Sequence, residues 1–408
     1  MRRAAISAGL VLVLVLTVCV TQPLGAEAAS AGRRSTGSAS ALKAILVGLL
    51  DRKGAPDTST AGRVDGFVVN VGWADLQPTA NGGIASGNAI DAAVAAIRSR
   101  SELAGMRFKL RVMTGPQSPD WAKKLGGGPF SISWDGQNLM MPRFWTTQFG
   151  TAYAAFMTKL AAKYDGTPEL AQVEISRCML TTAEPLLRGG SVPAVPKALV
   201  AAGYTADLDD QCQHDQIRTA DVWKQTRSGL ALNPYQRIDS TGWVTGDEPY
   251  TESIMQSCRA ILGTRCVLEN NSVRSPQQPD PYPQMYSSMT SMASPIGFQT
   301  AAADRIGDEM QALQYAVGYG ANSIELNRDY PNYDPTQLSK IRQQLHASVS
   351  SSGGGGGKGG GGKGGGGKGG GGKGGSGGGR TPHHHRNHKA TPMHSRDHRV
   401  GRVTHSVA

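Results

Sequence analysis

Eight short, β-rich runs alternate with stretches of helical periodicity along this chain, and that alternation constrains the fold more than any other feature. The runs are Ala44–Leu50, Val64–Trp73, Arg107–Gly115, Ala171–Met179, Gly229–Asp239, Arg265–Val273, Ile296–Ala301 and Asn322–Asn327, the fifth interrupted by Pro234. Between them, Ile90–Arg98 sets Ile90, Ala93, Val94 and Ile97 at i, i+3, i+4 and i+7, which puts all four on one helical face. Phe149–Tyr164 repeats the stripe with Tyr153, Phe156, Met157 and Leu160. Asp221–Arg227, Ser253–Leu262, Asp308–Val317 and Gln337–Leu345 are further helical segments. A parallel neighbour is reached only by a crossover, and a helix supplies that crossover while covering the face of the sheet. Eight such units in roughly 300 residues predict an α/β fold, a single (β/α)8 TIM barrel, for which about 250 residues is typical. The competing doubly wound sheet usually carries a glycine-rich phosphate loop after its first strand, and Asp51-Arg52-Lys53-Gly54 is not one.

The flanks of this alternation are of a different kind. Arg2 and Arg3 precede an apolar run from Ala8 to Val20, and small residues follow at Ala26-Glu27-Ala28-Ala29. That layout predicts a secretory signal peptide cleaved near Ala28 or Ala29, since the run is shorter than the ~20 residues of a spanning helix. The expected organisation is a leader over 1–29, a linker over 30–42, the barrel over 43–350, a disordered Gly/Lys spacer over 351–380 and a disordered His/Arg-rich tail over 381–408. Such a protein is secreted and extracellular, retained at the cell wall if its tail holds it there. Once Cys19 leaves with the leader, Cys178, Cys212, Cys258 and Cys266 remain, an even number suited to an oxidising compartment. Of the three pairings, Cys178–Cys212 with Cys258–Cys266 is preferred, the second closing a short loop. No Cys-x-x-Cys pattern offers a thiolate zinc site, and neither a metal nor a cofactor is expected.

Charge follows the same division. The formal net charge is +11, yet from Gly353 onward ten Lys and Arg face one acid, Asp397, while residues 1–352 hold 32 basic against 30 acidic residues. A nearly neutral body argues against a specific nucleic-acid partner. The basic end, with Lys358, Lys363, Lys368 and Lys373 spaced by glycines, reads as a polycationic tether for an anionic wall polymer, a membrane surface or extracellular DNA. Twenty-two of the 54 glycines lie between Gly353 and Gly379, so this segment cannot build a core. For the body a monomer is expected.

In a (β/α)8 barrel the C-terminal ends of the strands form the working mouth. Here those ends offer Trp73, Asp75 and Gln77 after the second run, Trp121 after the third, and Glu184 and Arg188 after the fourth. Asn233, Tyr235 and Gln236 follow at the fifth, Glu269 with Asn270 and Asn271 at the sixth, Gln299 at the seventh, and Glu325, Asn327 and Arg328 at the eighth. Tryptophan faces stack on sugar C–H surfaces, amides bond hydroxyls, and two carboxyls can flank a glycosidic bond. With few Lys or Arg at these ends, phosphate ligands fit poorly. The expected partner is therefore a carbohydrate substrate or glycan.

The run VDGFVVNVGWADLQP from Val64, then FKLRVMTGPQSPDW from Phe108, then Ala183-Glu184-Pro185, resembles the TIM-barrel glycoside hydrolases of clan A, beta-galactosidase-like members included. The resemblance spans about Ala44 to Ser348. It implies a barrel, carbohydrate chemistry and Glu184 as the acid/base glutamate. It also has departures: Ala183 stands where the family has asparagine, and the seventh-strand nucleophile position reads Phe298-Gln299-Thr300. A glutamine forms no glycosyl ester. Glu325 or Glu269 is then the candidate second catalytic carboxyl, an arrangement in which about 5–5.5 Å between carboxyls gives retention and ~6.5–9.5 Å inversion. Otherwise the barrel binds glycan without cleaving it. Each residue also has a structural explanation: Glu184 in an ion pair with Arg188, Glu325 with Arg111 as an interior partner, and Trp73 and Trp121 as packing residues.

Overall fold

The computed structural model describes residues 41–352. The leader over 1–29, most of the linker, Cys19 and the tail from residue 353 lie outside the described residues. All eight runs enter one closed barrel: β1 (Gly48–Asp51), β2 (Gly66–Gly72), β3 (Arg107–Met113), β4 (Leu170–Glu174), β5 (Arg227–Ala231), β6 (Cys266–Val273), β7 (Ile296–Thr300) and β8 (Ser323–Leu326). Every neighbouring pair is parallel, and β8 closes on β1 with Leu50 opposite Glu325. The fold is a (β/α)8 barrel.

Helices cover the outside. Ala89–Ser99 starts where the Asn88 side chain accepts the amides of Ile90 and Asp91, and buries Ile90, Ala93 and Ile97. Thr147–Tyr164 buries Phe149, Tyr153, Phe156, Met157 and Leu160 against the barrel. Three local readings differ from expectation. Asp221–Arg227 is not a helix; the helix there is Ala206–Ala220, and Arg227 already opens β5. The fifth run breaks near Pro234, which has no N–H to give a ladder. Its second half, Tyr235–Ile238, instead pairs antiparallel with Val244–Asp247 outside the barrel. Another unanticipated hairpin, Phe130–Trp134 with Gln137–Met141, turns on Asp135 and Gly136 at φ 50° and 73°, the positive values a two-residue turn of this kind requires. Both preferred disulfides, Cys178–Cys212 and Cys258–Cys266, are formed.

The register decides what fills the interior. Val68 lies beside Lys109, Asn70 beside Arg111, Glu174 beside Gly229, Glu269 beside Gly297, and Gln299 beside Glu325, so these residues share the inward face. Leu46, Leu50, Val68 and Ala171 make a small apolar cluster of their own. An ionic layer adjoins it. Lys109 Nζ lies 2.7 Å from Glu174 Oε1, 2.7 Å from Glu269 Oε2 and 2.6 Å from Glu325 Oε1. Two glycines make room for it. A Cβ on Gly229 would come within 2.4 Å of Gln172 Nε2 and 2.7 Å of both Glu174 and Glu269, and one on Gly297 within 2.4 Å of Glu269 Oε1.

Candidate functional site

The ionic layer underlies the C-terminal mouth. Arg111 donates from Nη2 to both Glu325 oxygens at 2.7 and 2.9 Å, so the eighth-strand glutamate is shared by two cations. Burial alone would raise the Glu325 carboxyl, but Arg111 and Lys109 override it and hold it at about 2. Glu269 is driven the other way. Burial and the adjacent Glu174 push it well above the ordinary carboxyl range. The layer thus sets Lys109 and Arg111 against Glu174, Glu269 and Glu325. Both Glu269 and Glu325 are only 1 % exposed.

Glu184 stands apart from that layer. It follows β4 on a long loop that the structure fastens at several points. Cys178 is bonded to Cys212, its amide donates to Gln216 Oε1 at 3.0 Å, and Gln213 Nε2 donates to the Pro185 carbonyl at 2.7 Å. Arg188, fully buried, forks onto Asp209 at 2.8 and 2.5 Å, so its partner is Asp209 and not Glu184. Glu184 itself is half-buried and accepts from Asn233 Nδ2 at 3.1 Å, while Tyr282 OH donates to Asn233 Oδ1 at 3.4 Å. Burial, and then the charge of Glu184, raise the Tyr282 hydroxyl above its usual range. An apolar groove of about 260 Å³, lined by Pro234, Pro249, Met255, Pro281 and Met285, adjoins these residues in sequence.

Across β1, β2, β3 and β8 the mouth opens as a cleft of about 770 Å³ lined by Arg52, Asn70, Asp75, Arg111, Gln117 and Arg328, among others. Asp75 is exposed there, and its Oδ2 accepts the Gly72 amide at 3.3 Å. Gln299, at the tip of β7, accepts from Arg111 at 3.4 Å and donates to the Asn271 carbonyl at 3.0 Å. Asn327 is buried; its Oδ1 accepts the Asp329 amide at 2.9 Å.

Several expected sugar contacts are core residues instead. Trp73 has no exposed surface, because the short helix Trp73–Leu76 turns it outward from the strand end into an aromatic cluster. Trp121, Phe149, Tyr153 and Phe156 surround it with ring centroids at 5.0–5.8 Å. Gln77 is buried, accepting from Trp73 Nε1 and donating to the Ala80 and Gly82 carbonyls. Trp121, half-buried, spends its Nε1–H on the Gln77 carbonyl. Tyr235 is buried and donates to Asp209 at 2.7 Å. The expectation of few cations at the strand ends also needs correcting. Arg52, Arg111 and Arg328 line one cleft, and barrel closure, which sets β8 beside β1, brings Arg328 to it. The inward alternation of Lys109 and Arg111 was their one signal in the sequence.

No model of a known protein family matches this chain, and no curated protein matches its sequence. Among solved structures, the catalytic domain of beta-amylase from Paenibacillus polymyxa is 11 % identical, with a TM-score of 0.47, over 75 % of this chain and 99 % of that one. Endo-glycoceramidase II from Rhodococcus sp. is 14 % identical, with a TM-score of 0.38, over 71 % and 75 %. Morphinone reductase is also 14 % identical, with a TM-score of 0.40, over 74 % and 85 %. The chain is thus distantly similar in structure to glycosidases and to a reductase, and at these scores the likenesses carry no argument about its activity.

Proposed function

We propose that this protein is an exported (β/α)8 barrel that recognises a glycan at its C-terminal mouth without cleaving it through a carboxylate pair. One observation carries the reading. Both candidate second carboxyls, Glu269 and Glu325, are committed to Lys109 and Arg111 inside the barrel, and the seventh-strand position of the nucleophile holds the amide of Gln299. A carboxylate held ionised at about 2 by two cations is a poor nucleophile and a poor base. Glu269, buried and held by Lys109, has no open path to a glycosidic oxygen. The amides and hydroxyls of Asn70, Gln117, Gln299 and Tyr282, with the Glu184–Asn233 pair, supply what sugar hydroxyls need. The two disulfides fit the oxidising compartment that the leader implies.

A second reading, O-glycoside hydrolysis with Glu184 as acid/base, is favoured by the half-buried Glu184 and its hydrogen bond from Asn233. One experiment separates the two. The purified protein and its Glu184→Gln variant are screened on a panel of poly- and oligosaccharides, with binding and reducing-sugar release read in parallel. Binding without release supports the recognition reading. Release that Glu184→Gln abolishes replaces it with the hydrolase. Absence of binding and release on every glycan removes both.

A further inference from the structure

The mouth cleft is built for more than neutral hydroxyls. Arg52, after β1, is half-buried, and its guanidinium finds only neutral acceptors: the Thr300 carbonyl and, at 3.2 Å, the Thr300 hydroxyl. Its Nε is buried without a partner, as is that of Arg111, a side chain itself more than nine-tenths buried. Arg328, exposed at the rim, lines the same cleft. Burial, and then the proximity of Arg111 and Arg328, make the charge on Arg52 costly against the pull of Glu325. Glu325, whose charge reaches Arg52, is already shared by Lys109 and Arg111, and among the described residues no ion pair engages Arg52 or Arg328. Asp75, on the β2 side, is the acid lining the cleft.

Guanidinium groups gathered in a cleft with a surplus of positive charge are satisfied by an oxyanion, which a planar fork can bind with two parallel hydrogen bonds. Beside them, Asn70 and Gln117 line the same cleft and offer amides to a sugar ring's hydroxyls. We propose that Arg52 and Arg328, with Arg111 behind them, select an acidic glycan, its carboxylate seated between Arg52 and Arg328 while Asn70 and Gln117 meet the ring hydroxyls. This rests on the glycan reading above and specifies its ligand class. Phosphate-bearing polymers share the oxyanion, so the test separates the two sources.

The full-length protein and the variants Arg52→Gln and Arg328→Gln are titrated calorimetrically with three probes: a galacturonate oligosaccharide, its methyl ester and inorganic phosphate. The basic end of the chain is common to all three proteins, so only the difference between them reports the cleft. Arg328 is exposed, which makes its variant safe for folding, and thermal melts check both. The expected result is a loss of about tenfold or more in galacturonate affinity in each variant, with the methyl ester binding more weakly and insensitive to both. Equal galacturonate affinity in all three proteins overturns the proposal, since binding then comes from the basic tail. A methyl ester that binds as tightly as the acid overturns it while leaving glycan recognition intact. Arginine-dependent binding of phosphate, without the same dependence for galacturonate, replaces the carboxylate with a phosphoryl ligand. No binding of either saccharide removes the glycan reading itself for this class.

Discussion

Taking the Lys109 ammonium out of water costs several kcal/mol, which the close approach of Glu174, Glu269 and Glu325 offsets. Removing it leaves three buried carboxyls with Arg111 as the remaining cation of the layer, so Lys109→Met is expected to cost about 3–5 kcal/mol in denaturant unfolding. A midpoint unchanged by that substitution would mean the layer is wetter than its burial indicates. The two flanking glutamates respond to pH in opposite senses. Glu325 is held at about 2 against 4.5 for a free glutamate, so its stabilising contribution is present above the free value and is lost as pH falls toward 2. Glu269 is raised, so its contribution is full below the free value and disappears as pH climbs through the raised one. Urea unfolding of Glu325→Gln should therefore lose that residue's share of the acid-side decline, together with stability at neutral pH. Glu269→Gln, which removes a carboxyl whose ionisation burial and Glu174 oppose, should be the milder of the two and should remove the loss of stability that sets in above the free value. Equal effects of the two substitutions at every pH would contradict the opposite shifts of the two carboxyls.

The loop carrying Glu184 shows at the level of elements how the placement of one side chain depends on a helix that a hydrophobic stripe does not announce. Helix Ala206–Ala220 packs Asp209, Cys212, Gln213, Gln216, Ile217 and Ala220 inward, at helical spacing but with three of the six polar. A hydrophobic stripe is absent, so periodicity misses the helix. The inward residues instead clamp the loop through Arg188, Cys178 and the Pro185 carbonyl. The strands were legible because buried parallel strands read as short apolar runs, and Glu325 with Arg111 was legible because inward alternation puts them on one face. Trp73, Gln77 and Tyr235 misled because nearness to a strand end does not say which way a side chain turns. Removing the clamp should free the loop before it unfolds the barrel. Cys178→Ser with Cys212→Ser is expected to cost roughly 2–5 kcal/mol and to make residues 176–190 the first site of limited proteolysis. Asp209→Asn, which leaves buried Arg188 without its counter-ion, should do the same with the disulfide intact. First cleavage elsewhere in both variants would show that the loop does not depend on this helix.

At the scale of the whole molecule, basic charge occurs in two places with different reach. Residues from Gly353 onward carry ten Lys and Arg against one acid, and exposed charge of this kind is screened by salt over about 8–10 Å. The cleft carries Arg52 and Arg111 partly or wholly desolvated, with Arg328 at its rim, and for the desolvated pair screening is weaker and geometry matters. On the acidic-glycan proposal an anionic polysaccharide offers ligands to both, and contact through the basic end would raise the effective concentration of the polymer at the mouth, so that avidity would exceed either affinity. Removing residues 353–408 should lower retention on immobilised polygalacturonate at low salt by about a hundredfold, within the range that linking two sites gives. With rising salt the full chain and the shortened one should converge, because what the basic end adds is screened while what the cleft adds persists. In the shortened protein, Arg52→Gln should then remove most of the remaining retention, and in the full chain it should matter more at high salt than at low. Retention with the same salt slope in both chains would show that the basic end takes no part. Full retention by the shortened chain carrying Arg52→Gln would show that the mouth takes none.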